Sequence, residues 1–129
     1  MKITTFNPMI ITNRSEEVLK VFEKFGFTKK HAPTYTMASG DEFTDYRLQN
    51  ENGFYMDVGV INIPLPMEIP AIRINVDDFD EAYNMLTGYG YKATHEQPVI
   101  ENEHTKAAAL IGPIGFTIYL VQHLKKEDK

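Results

Sequence analysis

Cysteine and tryptophan are absent from the 129 residues. Without cysteine there is no disulfide, no thiolate nucleophile and no sulfur-ligated zinc, and the chain suits a reducing compartment, so a cytoplasmic protein is expected. Positive charge is scarce as well: 13 Lys and Arg against 18 Asp and Glu give a net charge of −5. Nucleic acid and anionic membranes are therefore not expected partners, because binding them needs a clustered excess of cations. The densest basic groups are the pairs Lys29-Lys30 and Lys125-Lys126. Long apolar runs are missing too. The early run Pro8 to Ile11, closed by Asn13-Arg14, is far too short for a signal-peptide core or a membrane span. What remains is an ordinary globular composition, 43% hydrophobic and 24% charged. A chain of this size buries about two-thirds of its unfolded surface in a core of its own.

The chain repeats itself. At an offset of 64, Ile10 to Leu19 lies over Ile74 to Tyr83, and Phe25-Gly26-Phe27 lies over Tyr89-Gly90-Tyr91. Further on, Gly53 to Val58 lies over Gly115 to Leu120 at an offset of 62. Each half opens on a strand-like run, Ile3 to Thr12 and Ala71 to Val76. A helix follows each. In the first, Asn13 or Ser15 is the expected cap, Glu16 and Glu17 meet the positive end of the dipole, and Val18, Leu19, Phe22 and Phe25 recur at helical spacing before Gly26. In the second, Asp78 with Glu81 reads as a capping box, with Phe79, Ala82, Tyr83, Leu86 and Tyr89 as the stripe and Gly90 as the stop.

Three further strands are expected in each half: Phe27 to Ala32, Asp45 to Gln49 and Phe54 to Ile61, then Tyr91 to Glu96, Lys106 to Ile111 and Phe116 to Gln122. Asn50-Glu51-Asn52-Gly53 and Gly112-Pro113-Ile114-Gly115 read as the hairpin turns. Pro64 to Pro70, with three prolines, reads as a stiff connector between module one (1–63) and module two (71–124), and 125–129 as a solvated tail. The expected architecture is βαβββ, twice, in a single domain.

This pattern resembles the vicinal oxygen chelate superfamily, which includes glyoxalase I, extradiol dioxygenases, and fosfomycin and bleomycin resistance proteins. The resemblance spans nearly the whole chain. It is carried by the joint Ile74-Asn75-Val76-Asp77-Asp78-Phe79-Asp80-Glu81-Ala82 and by the ending Gly112-Pro113-Ile114-Gly115-Phe116-Thr117-Ile118-Tyr119-Leu120-Val121. It implies an α+β fold in which two tandem βαβββ modules form a curved, partly open mixed-sheet cup with helices outside, and a homodimer. The family's metal ligands sit early in the first strand and in the last strand of a module. Here those positions hold Asn7 and Ala71, then Asp57 and Tyr119. Of these only Asp57 is a good divalent ligand, which falls short of the three that a catalytic site needs. No metal and no cofactor are expected.

Strand alternation divides the expected strands into two faces. Met56, Val58, Val60, Ile72, Ile74, Val76, Ile118 and Leu120 form an apolar face suited to packing beneath helices. The opposite face carries Asn7, Met9, Tyr55, Asp57, Arg73 and Tyr119, the candidate ligand-binding residues. Arg73, a cation in an Ile-rich strand, either holds an anionic group of a ligand or pairs with Asp57. Asp57 is the candidate general base, and Tyr55 and Tyr119 are candidate walls. The histidines point elsewhere. His31 and His95 are repeat mates on expected edge strands, His104 lies in a charged loop with Glu101 and Glu103, and His123 begins the tail.

Together these features imply a small-molecule-binding protein, metal-independent, taking a polar aromatic or anionic compound. The alternative is a glyoxalase-type lyase or isomerase using Asp57 and Arg73, with or without a metal held by other residues. A third class, a partner-binding module using open sheet edges, also fits the pattern. No phosphate loop, zinc-protease HExxH element or serine elbow is present.

Overall fold

The computed structural model describes residues 1–37, 40–93 and 100–124. Among them are ten strands and two helices: β1 (Ile3–Thr12), α1 (Ser15–Lys24), β2 (Thr28–His31), β3 (Thr34–Thr36), β4 (Glu42–Gln49), β5 (Tyr55–Ile61), β6 (Ile69–Val76), α2 (Phe79–Gly88), β7 (Lys92–Ala93), β8 (Ile100–Glu101), β9 (Thr105–Ile111) and β10 (Thr117–His123). The strands form an open mixed sheet in the order β2-β4-β5-β1-β6-β10-β9-β7, with β3 on β4 and β8 on β9. The fold class is α+β. No helix among the described residues is long and apolar enough to cross a membrane.

The chain divides into two compact units, one of residues 7–70 and one of residues 1–6 with 71–129. Each repeats the internal plan of the other. In the first, β1 runs parallel to β5 with Met9 opposite Asp57, and β5 pairs antiparallel with β4. In the second, β6 runs parallel to β10 with Arg73 opposite Tyr119, and β10 pairs antiparallel with β9. The offsets of 64 and 62 seen in the sequence are thus the offsets of structural register.

Each helix covers one face of its own strands. Under α1, Val18 packs with Leu48, Met56 and Val58, joined by Ile10, Leu19, Phe22 and Phe27. Under α2, Phe79, Ala82 and Leu86 pack with Val76, Ala108, Leu110, Ile118 and Leu120. Both helix ends follow from glycine: Gly26 and Gly90 have φ of 90° and 93°, the left-handed stop that the sequence predicts. Both expected hairpins form, with the Gly53 N–H on the Asn50 carbonyl at 3.0 Å and the Gly115 N–H on the Gly112 carbonyl at 3.1 Å.

Four expectations change. Neither Asn13 nor Ser15 caps α1: the cap position is Arg14, without a side-chain cap, and the Asn13 amide instead donates to the Ile63 carbonyl at 3.0 Å. The Asp78 carboxylate does accept the Glu81 N–H at 3.1 Å, but the Glu81 side chain pairs with the Met1 ammonium at 3.2 Å, so the box is one-sided. The edge strand of the first unit is split, because Pro33, with no N–H to donate, separates β2 from β3; in the second, β7 and β8 both pair with β9, and the rest of the expected strand Tyr91 to Glu96 lies outside the described residues. Finally, β6 begins at Ile69, inside the proposed connector. Pro70 is the second residue of that strand, near the end where a missing donor is tolerated.

Candidate functional site

The face of each unit's strands turned away from its helix is where the polar residues concentrate, and it is buried. In the first unit Asn7, Asp45 and Asp57 are all buried, with Asp57 at 0% exposure. In the second, Arg73, Asn75, Thr105 and Thr117 are buried, with Arg73 at 3%. Burying so many polar groups is costly unless each finds a partner.

In the first unit, β1 and β5 bring Asn7 and Asp57 together. The Asn7 Nδ2 donates to the Asp57 Oδ1 at 3.0 Å. From the other side, β4 places Arg47 directly opposite Asp57, with Nε 3.8 Å from Oδ2. Burial pushes the Asp57 carboxyl above its ordinary value of 3.8, while the Arg47 cation and the Asn7 hydrogen bond pull the other way and only offset part of the rise. Arg47 also lies over the Tyr55 ring, its Cζ 5.7 Å from the ring centroid. Tyr55 keeps 42% of its surface exposed. Met9 is buried and its terminal methyl closes over Gly59 together with the Phe43 ring; a Cβ on Gly59 would stand 2.7 and 2.6 Å from them. Met9 is thus a packed core side chain.

In the second unit, Arg73 Nε donates to Asn75 Oδ1 at 2.9 Å, and its guanidinium lies 5.9 Å from the centroid of the buried Tyr119 ring. The two residues face each other in register across β6 and β10. A cation, an aromatic ring and an amide are thus assembled on one buried face.

Sequence reasoning missed Arg47 and Asn75. Both had a legible signal. Arg47 shares a face with Asp45 and Gln49 by the strand period, within the expected strand Asp45 to Gln49, and it stands opposite Asp57 because Asn50 pairs with Phe54, the Asn50 N–H on the Phe54 carbonyl at 3.1 Å. Asn75, two residues past Arg73, shares its face by the strand period alone. Of the histidines, His31 is exposed on β2, the outermost strand of its unit, and His104 is exposed with Nε2 3.3 Å from Glu103. His123 ends β10, and His95 lies outside the described residues, as does the tail 125–129.

The resembled family's metal is tested by the donors present. Ala71 has no donor, and Tyr119 offers a phenol beside a cation. Asn7 turns its NH2 rather than its oxygen toward Asp57, and Asp57 has Arg47 against its second oxygen. In the first unit an ion at Asn7 and Asp57 would meet the Arg47 guanidinium, and in the second Ala71 and Tyr119 supply neither carboxylate nor imidazole, so neither pair of donors fits one. Among the described residues no three His, Cys, Asp or Glu side chains cluster elsewhere to replace it.

No protein-family model matches the chain, and no curated protein matches its sequence. Solved structures do. A glyoxalase/bleomycin resistance protein/dioxygenase superfamily member from Vibrio splendidus matches 94% of this chain and 99% of its own, at 15% identity and a TM-score of 0.57. A methylmalonyl-CoA epimerase variant from Streptomyces coelicolor, in complex with 2-nitronate-propionyl-CoA, matches 94% and 98% at 13% identity and 0.59. Glyoxalase I from Zea mays matches 98% of this chain over 45% of its own length, at 12% identity and 0.61. At these identities the likeness is one of fold.

Proposed function

Because the chain carries the vicinal oxygen chelate fold, we propose that it is a metal-independent small-molecule-binding protein, taking a polar aromatic or anionic compound on the polar face of its sheet. One observation carries this reading. The position where the family would place a carboxylate ligand holds Asp57, but its oxygens face the Asn7 amide and the Arg47 guanidinium rather than a coordination sphere. Buried cations, amides and aromatic rings on the same faces are the groups that fix the orientation of a small polar ligand. The structural neighbours support the fold class and not a particular ligand.

A lyase or isomerase that works without a metal is the second reading, and the raised carboxyl of Asp57 favours it. A buried base whose proton affinity has moved toward neutrality is better matched to proton abstraction than an ordinary aspartate.

Native mass spectrometry and metal analysis of freshly purified protein test the proposal. The expected result is a homodimer mass, no stoichiometric divalent ion, and a mass increment with a small polar aromatic or anionic compound. One tightly held divalent ion per subunit, lost on Asp57→Ala, would overturn it. Turnover abolished by Asp57→Asn with folding intact would favour the lyase or isomerase.

A further inference from the structure

We infer that Arg47 and Tyr55 form an aryl-anion clamp on the first unit: the Arg47 guanidinium takes a carboxylate or similar planar anion, and the Tyr55 ring takes the aromatic group attached to it. The inference rests on the small-molecule reading above and names its ligand class and contact residues.

The geometry of Arg47 is the starting point. Its Nε stands 3.8 Å from Asp57 Oδ2, beyond the 2.7–3.2 Å of a direct N–H···O bond. The planar fork of donors that normally grips a carboxylate with two parallel bonds is therefore not engaged on Asp57 in that way. The guanidinium also lies over the Tyr55 ring. The Arg47 side chain keeps 26% of its surface exposed, and Tyr55 more, whereas Asp57 and Asn7 behind them are buried. A solute reaching this face meets the cation and the ring before the carboxylate.

At 3.8 Å the Arg47–Asp57 pair is not closed by a direct hydrogen bond, so the guanidinium fork retains donors for an outside anion. The ring adds the second half of the specificity. Tyr55 is 42% exposed, and the part of its ring that Arg47 does not cover is apolar surface on which a planar ring can stack. Arg73 does not offer the same opening: it is buried, and its Nε is committed to Asn75 at 2.9 Å.

Titration calorimetry of the full-length protein with sodium benzoate, benzamide and sodium acetate tests the clamp, with circular dichroism confirming that each variant is folded. Wild type is expected to bind benzoate at least about tenfold more tightly than benzamide or acetate. Arg47→Gln is expected to weaken benzoate by about tenfold or more, and Tyr55→Leu to weaken benzoate by a similar factor while leaving acetate unchanged. Should Arg47→Gln fail to fold, Arg47→Lys decides, because it keeps the charge and loses the fork; undiminished benzoate affinity would overturn the clamp. Benzoate binding that survives Arg47→Gln but falls on Arg73→Gln would overturn the clamp and leave the small-molecule reading standing, as would binding of acetate or benzamide without benzoate. No binding of any of the three to wild type would count against both.

Discussion

Asp57 is a carboxylate in a place that disfavours charge, and the sign of its effect on stability follows. Its folded pKa is raised above 3.8, so between 3.8 and that higher value the folded chain holds more protons than the unfolded one. Stability contributed by this group is then greatest in acid and lost as pH rises through the folded pKa. Asp57→Asn removes the cost while keeping an oxygen for the Asn7 amide, and Arg47 can turn its charge to water. The variant is expected to melt at a higher temperature than wild type at neutral pH. The gain should shrink as the pH is lowered toward 3.8, measured by thermal denaturation of both proteins across that range. Gly59 makes a second residue-scale prediction. A methyl there collides with the Phe43 ring and the Met9 methyl, so Gly59→Ala should cost about 1–3 kcal/mol in urea denaturation. The alternation of β5 places Gly59 on the same face as Asp57 from sequence alone. That its missing side chain is filled from β1 and β4 was not legible, because it depends on which strands flank β5.

At the scale of elements, α2 is fastened by a side chain from another strand. The Gln122 amide on β10 accepts the Phe79 N–H at 2.8 Å and donates to the Asp77 carbonyl at 2.9 Å, bracketing the start of the helix. Gln122→Ala is expected to destabilise the protein by about 1 kcal/mol through the lost bonds. Phe79→Ala should cost about 3–5 kcal/mol, since it empties the largest fully buried side-chain volume beneath that helix. Equilibrium denaturation distinguishes the two by size. The helices themselves were readable because apolar period, acidic first turn and terminal glycine agree with one another. The α1 cap was not, because Asn13 has a better partner in the Ile63 carbonyl, fifty residues away. Local rules ranked it correctly as a capping type and had no access to that competitor. The strands β3 and β8 were missed for a related reason: runs as short as Thr34–Thr36 and Ile100–Glu101 carry too few residues for a period.

For the whole molecule, the duplication was the most informative feature of the sequence, because it converts two ambiguous halves into two readings of one pattern. The register bears this out: Met9 opposite Asp57 corresponds to Arg73 opposite Tyr119. Duplication also explains why the candidate site was only half legible. Equivalent positions have kept their place in the strands while their chemistry has diverged, Asn7 against Ala71 and Asp57 against Tyr119, so the repeat locates a position without assigning its role. The strand period puts Arg47 on the polar face, but its place opposite Asp57 follows only from strand pairing.

The first strand belongs to two units at once, and time enters through that fact. Residues 1–6 settle against a partner region that begins at Ala71, with the Asp77 N–H on the Lys2 carbonyl at 3.0 Å. The rest of β1 pairs with β5. On a ribosome, residues 1–6 therefore wait for Ala71 and the residues after it, and closing so long a loop is a slow step with high contact order. Removing residues 1–6 should speed hydrogen exchange at Asp77 and along β6 before it does so in β4 and β5, as mass spectrometry would show. The opening residues of β1 are thus among the last of the strand to find their place.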